Sequence, residues 1–120
     1  MSTFNIQTYI DSLPNNVEII DVSSKQIKYL PDLSRFKQLE QLLCYNNQLT
    51  YLPNLNEKLQ KLDCDNNQLT SLPTLNDNLQ ILICDNNQLT SLPSLNENLQ
   101  ILYCWHNQLT SLPSLNYISN

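Results

Sequence analysis

A unit of twenty residues recurs in register along most of this chain, and it constrains the fold more than any other feature. Residues 39–58, 59–78, 79–98 and 99–118 align without a gap. Each reads Leu-x-x-Leu-x-Cys-x-x-Asn-Gln-Leu-Thr-x-Leu-Pro-x-Leu-Asn. A fixed period in the twenties builds a solenoid, in which each unit buries its apolar face only against its neighbours. Segment 17–38 reads as a degenerate first unit, with Val17, Ile20, Val22, Ile27, Leu30 and Leu33 at the ladder positions. Lys25 stands where the others have Asn, and the unit runs two residues longer, through Leu33-Ser34-Arg35-Phe36.

The ends depart from the repeat. Residues 1–16 are expected to form an N-terminal cap: Phe4, Tyr9, Ile10 and Leu13 fit a short amphipathic helix before Pro14, with Ser2 or Thr3 capping its start. At the other end Tyr117 and Ile118 are expected as a minimal lid over the last rung, with 119–120 as a tail. Without such a lid, the last strand presents an open edge.

The leucine ladder with its Cys, Asn-Gln-Leu-Thr and Leu-Pro-x-Leu letters, over about residues 17–118, resembles the leucine-rich repeat family. The short twenty-residue Leu-Pro form is similar to that of bacterial effector proteins. The Cys and the Asn-Gln-Leu-Thr-x-Leu-Pro run are similar to repeat proteins of giant amoebal viruses. The resemblance implies a short parallel strand around the second Leu and the Cys, lining a concave face. Pro fixes φ and biases the residue before it away from helix, so the convex return should be extended or polyproline-like. Little or no α-helix is expected after residue 16. Within the strand, 42 and 44 then point inward, and 41, 43 and 45 point outward.

Two ladders read as structure. Cys44, Cys64, Cys84 and Cys104 recur at one slot, which Val22 fills in the first unit, so the slot is small and apolar. Compact zinc sites pair ligands two to four residues apart, which this spacing does not. Adjacent strands bring the cysteines close enough for a disulfide, but parallel side chains are poorly aimed for one. Asn47, Asn67, Asn87 and Asn107 carry both a donor and an acceptor, which suits them to bridging the unpaired backbone groups of consecutive turns. Lys25 has no acceptor, so the first turn must close differently.

Charge excludes some partners. All six basic residues lie between Lys25 and Lys61, and five acids with no Lys or Arg follow. A nucleic-acid binder needs a basic stripe, and an anionic membrane attracts one, so neither is expected as a partner. The chain has no Gly, hence no phosphate-cradling loop of the usual kind. Asn can replace Gly where a turn needs positive φ, and the chain has 18 Asn. The N-terminus has no basic-then-apolar signal pattern, and no apolar run approaches the ~18 residues of a membrane span. The expectation is a cytoplasmic protein, in the host cytoplasm if the source is a virus.

The variable outward positions are where function would reside. They form three lanes: Ile19, Gln41, Lys61, Ile81, Ile101; then Asp21, Leu43, Asp63, Ile83, Tyr103; then Ser23, Tyr45, Asp65, Asp85, Trp105. Beside the third run Ser24, Asn46, Asn66, Asn86 and His106. The expected partner-binding set is Tyr45, Ile81, Ile83, Asp85, Ile101, Tyr103, Trp105 and His106, because Trp and Tyr in an apolar patch are usual anchors. Cross-strand apolar pairs that merely stabilise the sheet are the competing explanation. No nucleophile, base and acid stand together, so no enzyme, cofactor or metal is expected. The leading reading is a protein-binding module. The alternatives are a self-associating structural protein, dimeric through its C-terminal end, and the recognition part of a bacterial-type ubiquitin-ligase effector, whose catalytic Cys lies in a separate helical domain.

Overall fold

The computed structural model describes residues 4–111. One helix, α1 (Ile6–Ser12), is followed by five strands: β1 (Ile19–Asp21), β2 (Gln41–Leu43), β3 (Lys61–Asp63), β4 (Ile81–Ile83) and β5 (Ile101–Tyr103). The strands form a single parallel sheet in chain order. Register places Gln41 beside Lys61, Lys61 beside Ile81 and Ile81 beside Ile101. The sequence period is thus the strand-to-strand period, and each repeat letter becomes a row running across the sheet.

Burial follows the letters. Leu42, Leu62, Leu82 and Leu102 fill the middle of each strand, with Leu39, Leu59, Leu79 and Leu99 below them and Leu49, Leu69 and Leu89 after the turn. Fully burying one such side chain stabilises by about 2 kcal/mol, so each rung adds a similar increment. After the turn the chain returns with no helix or strand through 51–56 and 71–76, as its Leu-Pro pairs require.

The turn after each strand depends on a left-handed residue. Asn46, Asn66 and Asn86 have φ of 56°, 57° and 55°. Asn tolerates this region better than most non-Gly residues, which explains how a chain without Gly makes these turns. The residue after it is the ladder Asn. Asn67 Nδ2 donates to Cys44 O at 3.1 Å, Cys64 O at 3.0 Å and Asp65 O at 3.2 Å, while its Oδ1 accepts from Leu49 N at 2.9 Å. Asn87 and Asn107 make the corresponding bonds one and two rungs on. Each amide therefore satisfies the turn of its own unit and that of the preceding one.

The first turn does close differently. Two left-handed residues, Ser24 and Gln26, flank Lys25. Asn47 reaches back so that its Oδ1 accepts from both Lys25 N at 3.0 Å and Ile27 N at 3.2 Å. The bond to Ile27 N matches that of Asn67 to Leu49 N; the bond from Lys25 N is the added one.

A second Asn row holds the return. Asn56 Nδ2 donates to Leu33 O at 2.9 Å and Phe36 O at 3.1 Å, Asn76 Nδ2 to Leu59 O at 2.8 Å, and Asn96 Nδ2 to Leu79 O at 3.1 Å. Each is the Asn that closes the Leu-Pro-x-Leu-Asn run of its repeat, a letter as constant as the first.

The cap docks through unrepeated residues. Asn5 caps α1, its Oδ1 accepting from Thr8 N at 2.9 Å. Ser2 and Thr3, expected in that role, lie outside the described residues. Ile6 and Ile10 are buried, with Phe4, Tyr9 and Leu13 packed at the margin. Arg35, from the longer first unit, donates to Ile10 O at 2.6 Å, Leu13 O at 3.0 Å and Asn15 Oδ1 at 2.6 Å. Its guanidinium lies 4.0 Å from the centre of the Phe36 ring, which is fully buried. The two extra residues thus bring in a clamp for the carbonyls that end α1. Tyr117 and Ile118, expected as a lid, lie outside the described residues, as does 119–120.

Candidate functional site on the concave sheet

Strand alternation presents three lanes on the solvent side of the sheet, in the register expected. Ile19, Gln41, Lys61, Ile81 and Ile101 are mutually aligned, as are Asp21, Leu43, Asp63, Ile83 and Tyr103. Gln41, Leu43 and Tyr45 are half-buried between their neighbours, and so are Ile81, Ile83, Asp85 and Ile101. Exposure rises at the fifth unit: Tyr103 is 39% exposed and Trp105 61%. The structure therefore brings Ile81, Ile83, Ile101, Tyr103 and Trp105 together on β4, β5 and the residues after them. Tyr45 stands apart, two rungs away.

His106 has a backbone reason for its place. Its φ is 55°, the left-handed value that Asn46, Asn66 and Asn86 adopt at the same slot. His is among the residues enriched there. The sequence reading, which put His106 in the partner-binding set, missed this constraint, although the run of Asn at the other slots was its signal.

The acids beside the patch bind backbone. Asp85 Oδ1 accepts from Trp105 N at 2.6 Å, fixing the Trp backbone from the neighbouring rung. Asp63 Oδ1 accepts from Asp65 N at 3.3 Å, and Asp21 Oδ1 from Ser23 N at 3.0 Å and Ser23 Oγ at 2.6 Å. The Ser23 hydroxyl, its N–H and Lys25 hold Asp21 below its usual range against a small opposing effect of burial. Asp65 moves the other way, to about 6, because of burial and the neighbouring Asp63. No other element sends a cation into this lane: its members at the same slot are Ser23, Tyr45, Asp85 and Trp105.

Cys44, Cys64 and Cys84 are buried, Cys104 is half-buried, and all four are free thiols. Burial pushes each thiol above its ordinary pKa, which removes the thiolate needed for reactivity or metal binding. Among the described residues no three His, Cys, Asp or Glu side chains are placed to hold a metal. No described helix is long and apolar enough to cross a membrane. A hollow of about 410 Å³ lined by Ser34, Lys37, Gln38 and 54–58 lies at the strand-entry turns, away from these lanes.

A stacked parallel sheet with one strand per twenty residues, an inward Leu and an Asn ladder in each turn decides the architecture. The fold is a leucine-rich repeat solenoid. No family model and no curated protein matches the sequence. Solved leucine-rich repeat structures do match. The leucine-rich repeat domain of a Shigella effector superposes with a TM-score of 0.80 at 28% identity, over 91% of this chain and 57% of that one. YopM, a leucine-rich effector protein from Yersinia pestis, gives a TM-score of 0.82 at 34% identity, over 88% of this chain and 32% of that one. YopM from Yersinia enterocolitica gives 0.62 at 25% identity, over 90% and 34%. The chain thus spans between about a third and three fifths of the length of these leucine-rich repeat structures.

One feature escaped the sequence reading. Tyr29 and Tyr51 occupy one repeat slot and are both exposed, Tyr51 by 56%, where later units have Ser71, Ser91 and Ser111. Ile19, read from the sequence as the head of the first lane, is 56% exposed.

Proposed function

We propose that this chain is a protein-recognition module that binds its partner through the concave sheet of the solenoid. The observation that carries the proposal is the apolar cluster of the fourth and fifth units. Ile81, Ile83, Ile101, Tyr103 and Trp105 share the solvent side of two adjacent strands whose other side is already filled by leucine. A sheet face opposite a complete core is ordinarily polar. Trp and Tyr in that position supply large contact area with few rotors, which is why they anchor interfaces. The similar structures described as effectors support recognition as the use of such a scaffold.

The double variant Tyr103→Ser/Trp105→Ser tests this. Binding anchors leave stability alone, so its thermal midpoint should stay within about 2 °C of the wild type, the range of a neutral surface change. A fall of more than about 5 °C assigns the patch to cross-strand stabilisation and overturns the proposal. Light scattering on the same samples then identifies the partner's origin. A wild-type dimer that the variant converts to a folded monomer makes the partner a second copy. A monomer in both makes it a foreign protein.

A further inference from the structure

Resting on that reading of the concave sheet, we infer that the partner presents a Lys or Arg side chain beside an apolar one: the cation meets Asp63, Asp65 and Asp85, and the apolar group sits on Ile81, Ile101, Tyr103 and Trp105. Charge complementarity decides the partner's chemistry. Asp63 ends β3, and Asp65 and Asp85 follow β3 and β4, directly beside the apolar patch. No Lys or Arg follows Lys61 in the chain, so the second half of the face carries uncompensated negative charge next to its most exposed aromatic residue. Lys61 belongs to the first lane of β3, two residues from Asp63.

The geometry sets a spacing. Neighbouring strands lie ~4.8 Å apart, so from β3 to the midpoint of β4 and β5 is about 7 Å. Side chains two apart on one face of an extended segment are separated by about the same distance. A segment with a cationic residue two positions from an aromatic or aliphatic one therefore matches the face. Asp65 adds a second signature. It shares its lane with Tyr45 and Asp85 and its strand side with Asp63 and Lys61, and its pKa of about 6 reflects burial and Asp63. A cation arriving there favours the ionised carboxylate, so binding releases a proton near pH 6.

Selection of random linear dodecapeptides on the immobilised full chain is the experiment, with Trp105→Ser as counter-target. The result expected is enrichment of Lys or Arg two residues from Phe, Tyr, Trp or Leu. An enriched peptide, synthesised, should bind Asp63→Asn/Asp65→Asn/Asp85→Asn at least tenfold more weakly. It should also bind wild type more tightly at pH 7.5 than at pH 5, because Asp65 is then ionised. Asn keeps an acceptor for the Trp105 N–H; if the triple variant melts earlier than wild type, Asp65→Asn alone serves. Trp105-dependent peptides with no cationic bias, or indifferent to the Asn changes, overturn this inference and leave the concave reading standing. An absence of Trp105-dependent peptides overturns both.

Discussion

The beginning of this solenoid is held by residues used once, and the rest by residues used over and over. At the start, Asn5 caps α1, Arg35 clamps the carbonyls of Ile10 and Leu13, and Phe36 fills the space behind the clamp. From residue 39 on, the same Leu, Cys and Asn slots recur with the same partners. The difference teaches what each kind of position is free to do. Where neighbours are identical, identity itself satisfies the backbone and fills the core. Where one neighbour is missing, each contact needs its own residue. Variation in the repeats then falls outside those slots, on the outward lanes and at exposed positions of the return such as Tyr51, where later units have Ser.

The largest effects should come from the buried rings and leucines, and they compare the two regions directly. Phe36→Ala is expected to lose about 3–5 kcal/mol and Leu82→Ala about 2–5 kcal/mol, measured by urea denaturation. Equal losses would fit a solenoid that unfolds as one unit. A Leu82→Ala transition that splits in two would show that the capped end and the later rungs come apart.

Next comes the turn ladder. Asn67→Ala orphans the buried Leu49 N–H and takes one of two amide donors from the carbonyls of Cys44 and Cys64, which keep Asn47 and Asn87. The expected loss is about 1–3 kcal/mol. A loss of a few tenths would remove the ladder from the account of what holds the repeats.

At the cap, Arg35→Ala removes three charge-assisted bonds from a side chain that is itself solvent-facing. About 1–2 kcal/mol is expected. Hydrogen exchange should locate it: faster exchange at Tyr9 N–H, bonded to Asn5 O inside α1, with the amides of β3 unchanged. Spread of the effect into β3 would contradict the idea that the clamp is local.

The smallest effect is the pH dependence of Asp65. Its folded pKa, about 6, lies above the ordinary carboxylate value of 3.8, so the native state holds a proton that the unfolded chain releases. Stability from this group is full below pH ~4 and falls as pH rises toward about 6. The amount is about 1 kcal/mol once solvent screening at a half-buried site is allowed for. Asp65→Asn should flatten the melting midpoint across that window. Asp21 acts in reverse at lower pH, since its depressed pKa gives stability that is lost on acidification.

Much of this was legible because repetition turns one-dimensional spacing into three-dimensional rows. The inward Leu and Cys, the first Asn ladder and the outward lanes all follow from a period of twenty and strand alternation. The second Asn row was equally present in the letters, and went unread because its position after Leu-Pro-x-Leu looked like loop. Arg35 and Asp85 were not legible. Each bonds a backbone atom at least twenty residues away, and neither choice recurs to announce itself.

The ladder amides point backward. Asn47 closes the turn at Lys25, Asn67 the turn before Leu49, Asn87 that before Leu69 and Asn107 that before Leu89. A ribosome delivers these units in the same order. Each turn is therefore locked only once the next unit has emerged, and the growing chain always carries one unfinished turn at its advancing end.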